Sequence, residues 1–323
     1  MAQELIYTSA RKGLKPGTSG FCTVAHTKGM SSAAIRVAES LSAYKRTGKS
    51  AHGTAGEPVI YSHHRCIIQG VSTSILSRVH VSEREHTGRD NKIAHHIVLD
   101  PLERPVGGPA WLAAREGLFV EEWVGEARLL NTPKTVPLGD SEFSRASTWE
   151  KITGDAGWAG IPAENLIKHP GRLIYLIFEP GMDMLGLIDE TLALLSPRTR
   201  WGVTFSTYFS HPIAGTSCTW RCCLPDQPLL KDPRTVNAAL VLDLTRSLGD
   251  PSDTPFVRQA RGEMAPKNPV PKAAAPASVE HGEAHASEDT PESDKKPRFV
   301  KMPNRHRKYL RMKPERRKGT DAE

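Results

Sequence analysis

The side chains of this 323-residue chain that could do more than pack are its thirteen histidines and five cysteines. Four imidazoles come as neighbours, His63-His64 and His95-His96, on or beside stretches that read as strands. Successive residues of a strand point to opposite faces, so each pair offers one imidazole to each side of a sheet. One imidazole from each pair, joined by His26, His80 or Asp90, would make a zinc ligand set if the strands brought them together. Spacing alone does not bring them together, and packed, hydrogen-bonded histidines are the expectation, with no metal and no cofactor. Cys22 or Cys66 beside one of these imidazoles would be a nucleophile with its base. Cys218, Cys222 and Cys223 match no standard zinc spacing. Strand alternation places Cys218, Trp220 and Cys222 on one face, where thiols behave as small hydrophobes. No catalytic set is assigned.

Two glycine-bearing stretches imitate nucleotide loops. Ala43 to Ser50 (AYKRTGKS) fits the permissive form of a phosphate-binding loop, which needs backbone amides at a helix N-terminus to meet the phosphates. Here the segment follows the C-terminal end of a helix, so the dipole points the wrong way, and Gly48 reads as a helix cap. Gly13–Gly20 lies between two strands and lacks the dinucleotide spacing, which makes it a hairpin-like connection. No Gly-x-Ser-x-Gly elbow and no His-Glu-x-x-His helix occurs.

The elements that would position these residues alternate in period. Glu4–Thr8 and Phe21–His26 read as strands. Ser31 or Ser32 caps a helix whose stripe is Met30, Ala34, Val37, Leu41 and Tyr44. Pro58–Tyr61, Cys66–Val71, Ile75–Val81 and Lys92–Leu99 read as further strands, the last entered from a turn over His86–Asn91. Pro109–Leu118 reads as a short helix, and Trp149–Lys168 as one or two. Leu173–Phe178 is a continuous apolar strand, Asp183–Leu195 a helix stopped by Pro197, and Trp201–Phe209 an alternating strand. Thr219–Leu224 and Ala238–Leu242 complete a strand–helix–strand–strand–strand run. The fold class is therefore α+β, mixed, with a strand-rich N-terminal part and a strand–helix–strand unit, followed by a disordered basic tail.

Composition divides the chain. All six Trp and all five Cys precede Asp250, whereas ten of the 25 Pro follow it. Residues 1–170 and 171–250 are expected to form two parts of one globular region, 251–294 a disordered linker, and 295–323 a basic tail. The formal charge of +7 comes from that tail. Lys295, Lys296, Arg298, Lys301, Arg305, Arg307, Lys308, Arg311, Lys313, Arg316, Arg317 and Lys318 face the single acid Glu315, and residues 1–294 sum to −2. Any contact with polyanions belongs to those twelve side chains. No apolar run is long and charge-free enough for a membrane span, no leader opens the chain, and the odd cysteine count suits a reducing compartment. A cytoplasmic protein is expected.

Three stretches carry a family resemblance: LIYTSARKGLKPGTSGFCTVA from Leu5 to Ala25, GRDNKIAHHIVL from Gly88 to Leu99, and WGVTFSTYF from Trp201 to Phe209 with Thr219, Trp220 and Arg221 after it. Together they resemble the type-two N-terminal domain of bacterial GTPase-associated proteins, over roughly residues 4–245. Longer family members continue into middle and C-terminal domains, and this chain is expected to end instead in its linker and basic tail. The resemblance implies a protein-interaction component of a GTPase-centred conflict or signalling system, with a separately encoded GTPase-system partner. Arg89, Asp90, Asn91, His95 and His96 are its motif residues and the candidates for contact, though turn chemistry gives them a structural reading too. The tail adds weak contact with nucleic acid or an acidic surface. The alternative is a hydrolase-like enzyme built on His95, His96 and Cys66.

Overall fold

Ser31 accepts a hydrogen bond from the Ala34 N–H and so caps the helix α1 (Ser32–Leu41) at the position its sequence marks. Met30, Ala34, Ala38 and Leu41 turn inward and pack on Leu5, Cys66, Ile75 and Val98 of a sheet. The structure, a computed structural model, describes residues 1–42, 59–82 and 91–263. Ala43–Ser50, most of the His86–Asn91 turn, residues 264–294 of the expected linker and the whole 295–323 tail lie outside the described residues.

The sheet contains ten strands among the described residues: β1 (Gln3–Ala10), β2 (Gly20–Thr27), β3 (Ile60–Ile68), β4 (Val71–Ser82), β5 (Asn91–Leu99), β6 (Arg128–Leu130), β7 (Ile174–Ile177), β8 (Phe205–Ser206), β9 (Trp220–Cys223) and β10 (Leu240–Asp243). Their order is β10-β7-β9-β8-β3-β4-β5-β1-β2-β6. From β3 to β2 every pair is antiparallel, while β10, β7, β9 and β8 run parallel to one another. The antiparallel pair β3–β8, with Ser62 opposite Ser206 and His63 opposite Phe205, joins the two halves. The fold is α+β, as the alternating periods imply.

The helices follow the same division. After α1, helix α2 (Gly108–Ala113) and helices α3 (Ser147–Thr153), α4 (Gly160–Lys168) and α5 (Met184–Ala193) supply one apolar layer. Trp149, Leu187, Ile188, Leu192 and Ala110 meet Ile60, Val79, Phe205 and Trp220 there in a single buried cluster. The short helices α6 (Pro197–Arg200), α7 (Pro233–Asn237) and α8 (Pro255–Ala260) finish the described chain.

Four expectations are corrected. The strands expected at Pro58–Tyr61 and Cys66–Val71 are one strand, β3, and the turn falls at Gln69–Gly70, where both residues have positive φ (50° and 81°). Two central residues of that hand make the tight turn that matches the twist of a hairpin. Trp201–Phe209 forms only the two-residue strand β8, because Val203 to Phe209 is buried on both sides and pairs irregularly with Thr219, Trp220, Cys222 and Tyr61. Cys218 precedes β9 and packs with Cys223, away from Trp220 and Cys222. Finally, α8 occupies the start of the expected linker, with Val257 and Ala260 fully buried, so ordered packing continues to Glu263.

Candidate functional site

The paired imidazoles divide between the two faces of the sheet as strand geometry requires, and each is held by its own partners. His95 is fully buried. The Val120 N–H donates to its Nδ1 at 2.8 Å, which leaves the proton on Nε2 to be donated to Glu4 Oε2 at 2.9 Å. Phe119 meets the ring edge-on at 5.5 Å. Burial holds the His95 imidazole below its ordinary range despite Glu4. Burial alone would raise the Glu4 carboxyl, but His95 and Lys134 together hold it low. At neutral pH the pair is thus an ionised carboxylate accepting from a neutral ring.

On the other face His96 is equally buried, with Ser77 Oγ at 2.7 Å from Nδ1 and Ser42 Oγ at 2.8 Å from Nε2. Ser42 donates to the Ala38 carbonyl at 3.2 Å, so a consistent network has His96 Nε2–H donating to Ser42 and Ser77 donating to Nδ1. His63 donates from Nδ1 to the Val203 carbonyl at 2.6 Å and accepts from Ser74 at 3.0 Å. His64 donates to the Ser217 carbonyl at 3.3 Å. Burial pushes His63 and His96 down to about 3 and His64 to about 4. A base that weak is unprotonated at neutral pH but has little driving force to take a proton.

The thiols are equally internal. All five cysteines are free and buried. Burial lifts Cys66 to about 11, Cys218 and Cys223 to about 12, and Cys222 well above its ordinary value. A reactive cysteine needs an electropositive, partly exposed setting that lowers this value. Cys66 sits in the apolar cluster under α1, and no hydrogen bond joins it to an imidazole among the described residues. His95 lies on the opposite face. The three groups of the hydrolase-like alternative are therefore not assembled. Nor is there, among the described residues, a group of three or more His, Cys, Asp or Glu placed to hold a metal ion.

Of the five contact candidates, Arg89 and Asp90 lie outside the described residues. Asn91 opens β5, half-buried, and its Oδ1 accepts from Thr8 Oγ1 at 3.3 Å and the Ser9 N–H at 3.4 Å. It ties β5 to β1. His95 and His96 present no surface to a partner, which corrects their standing as contact residues: they are ties within the sheet.

Sequence reading passed over the place where the two halves of the sheet meet. A cleft with about 200 Å³ of room opens on the α1 side of β3 and β8. Leu41, Ile60, Ser62, His64 and Val79 form one wall, and Leu173, Ser206, Tyr208–Ile213, Thr216–Thr219 and Arg221 the other. Its two walls lie far apart in sequence, and the β3–β8 pairing and the bridge between Arg65 and Ser217 bring them together. The opposite face of the same junction is bolted by Arg200 and Trp201. Arg200, buried, donates to the carbonyls of Leu192, Ala193, Leu195 and Val106 at 2.9–3.0 Å and to Asp140 Oδ1 at 2.5 Å. Trp201 donates to the Pro105 carbonyl at 2.8 Å.

Comparison with known families divides the chain at this same junction. Residues 1–135 match the family model described as GTPase-associated protein 1, N-terminal domain type 2, and residues 146–246 match GTPase-associated protein 1, middle domain. No curated protein and no solved structure matches the chain. The resemblance read as one domain over residues 4–245 therefore resolves into two domains. The Trp201–Phe209 stretch with Thr219–Arg221 belongs to the middle domain, which the sequence reading did not expect here. Strands β1–β6 fall in the first and β7–β10 in the second. The chain belongs to the GTPase-associated protein 1 family, with a type 2 N-terminal domain and a middle domain that share one β-sheet.

Proposed function

We propose that this chain is a non-catalytic protein-interaction component of a bacterial GTPase-associated conflict or signalling system, acting in the cytoplasm. The family places it in a GTPase-associated system. The observation that carries the non-catalytic reading is the inward placement of its reactive side chains: His63, His64, His95 and His96 are buried and hydrogen-bonded, and Cys66 lies in apolar packing. No helix among the described residues is long and apolar enough to cross a membrane. Arg89, Asp90 and Asn91 remain the contact candidates on the N-terminal domain.

The twelve Lys and Arg side chains between Lys295 and Lys318 add weak contact with nucleic acid or an acidic surface. Each phosphate they neutralise releases condensed counterions, so the affinity should fall by a slope of about 0.7–0.9 per contact in log K against log salt. Two measurements test the proposal. Affinity purification of the full chain from its native host should recover a GTPase; its repeated absence, with other proteins recovered in its place, would remove the docking reading. Deleting residues 295–323 should abolish retention on nucleic acid at low salt, and undiminished retention would remove the tail contact.

A further inference from the structure

The cleft between the two family domains carries a feature that packing does not account for. Arg221, on β9 in its wall, has no carboxylate partner among the described residues. Its Nε–H donates to the Cys218 carbonyl at 2.9 Å and a terminal N–H donates to Tyr175 Oη at 2.6 Å. The guanidinium lies 4.5 Å from the ring centre of Phe209 and 5.5 Å from that of Tyr175. A guanidinium has five N–H donors, and these bonds occupy two. Its plane is thus fixed, and no carboxylate among the described residues compensates its charge. Among the described residues no Asp or Glu lines the cleft. Hydroxyls of Ser62, Ser210 and Thr216 share the lining with His211, whose Nδ1 lies 2.8 Å from Ser210 Oγ. Leu41, Ile60, Val79 and Ile213 supply apolar surface.

A planar, pre-oriented guanidinium matches the geometry of a carboxylate or phosphate. The room available sets the rest, since a cavity of about 150 Å³ accepts benzene. We propose that this cleft binds a small oxyanion, a carboxylate or a phosphate, carrying a short apolar body. The head sits on Arg221 and the body lies against Leu41, Ile60 and Ile213. Such a ligand bridges the N-terminal and middle domains, because β3 and α1 come from one and β9 from the other. The inference stands apart from the docking of a GTPase and does not require it.

Calorimetric titration of the full chain tests it with benzoate, phenyl phosphate, inorganic phosphate and benzyl alcohol. At least one aryl anion should bind saturably at a single site, with the neutral alcohol and inorganic phosphate about tenfold weaker or more. Arg221→Gln should weaken the aryl anion by about tenfold or more, the size of a lost charge-assisted hydrogen bond. Ile213→Trp, which fills the cleft while leaving Arg221 in place, should abolish binding. Failure of both aryl anions to bind overturns the proposal, as does wild-type affinity in Arg221→Gln. If that variant does not fold, wild-type affinity in Ile213→Trp overturns it alone. Inorganic phosphate binding as tightly as phenyl phosphate removes the apolar body from the assignment.

Discussion

An imidazole that is neutral inside a protein must be paid for in acid, because the unfolded chain takes up a proton that the folded one refuses. His63 and His96 titrate near 3 and His64 near 4 when folded, all through burial, against about 6.5 when exposed. Their folded values are depressed, so their contribution is fully present above pH 6.5 and is lost as pH falls from there toward 4 and 3. Each unit of pH in that window costs about 1.4 kcal/mol per histidine at most. Three such rings would exhaust a typical stability of about 5–15 kcal/mol within a few pH units. Urea unfolding between pH 7.5 and pH 4 should therefore show stability declining from about pH 6.5, ahead of ordinary carboxylate titration. A flat profile down to pH 5 would contradict the burial of these rings. His96→Gln should flatten the slope by about 1.4 kcal/mol per unit. It should also lose about 1–3 kcal/mol at neutral pH as Ser42 and Ser77 lose their partner.

At the level of elements, α8 shows how far a local reading reaches. Composition ends the globular part at Asp250, and the Thr254-Pro255 helix start beyond it says nothing of burial. Thr254 caps it, accepting from the Val257 N–H at 3.3 Å, but its stability comes from across the fold. Gly160 allows α4 and α8 to touch backbone to backbone, since a Cβ there would stand 2.5 Å from Val257 N. Arg261 grips Asp155 with two hydrogen bonds, at 2.9 and 2.6 Å. A chain ending at residue 250 should lose about 2–4 kcal/mol, mostly from the buried Val257 side chain, with a smaller share from the partly exposed ion pair. One ending at residue 263 should melt as the full chain does. Equal melting temperatures for the two would show that α8 is dispensable. The same contrast separates what was legible from what was not. Met30, Ala34 and Leu41 of the α1 stripe, its Ser31 cap, the apolar run of β7 and the opposite faces of the His pairs are set by neighbours in sequence. The length of β3, the shrinking of β8 and the partners of His95 and His63 depend on Glu4, Val120 and Val203, which the fold alone brings near. Two of the contact candidates, His95 and His96, turn inward for that reason: residue type marks them, but only their distant partners decide whether they face outward.

For the molecule as a whole, the domain boundary drawn by family falls inside a continuous sheet and core. Residues 1–135 and 146–246 match separate domains, yet β3 of the first pairs with β8 of the second inside one sheet. Tyr61 and Thr207 exchange backbone and side-chain hydrogen bonds across that pair, each at 2.9 Å. Ile60, Val79, Ala94 and Ala110 share a buried cluster with Trp149, Leu187 and Trp220. Cutting between the domains would bare the inner edge of β3 and the side of α2 that packs on α5, an arrangement that invites aggregation. It would also strip Arg200 of the Val106 carbonyl and Asp140, leaving a buried cation short of partners. Fragments 1–145 and 146–263, made separately, should therefore lack a cooperative thermal transition and associate non-specifically. Expressed together, they should assemble and recover one transition, because the β3–β8 pairing needs no peptide bond between them. Two soluble monomers, each unfolding cooperatively alone, would mean that the shared sheet is an interface between independent domains. The cleft and its Arg221 would then belong to a hinge; a single cooperative unit instead fixes both walls of the cleft before any ligand arrives.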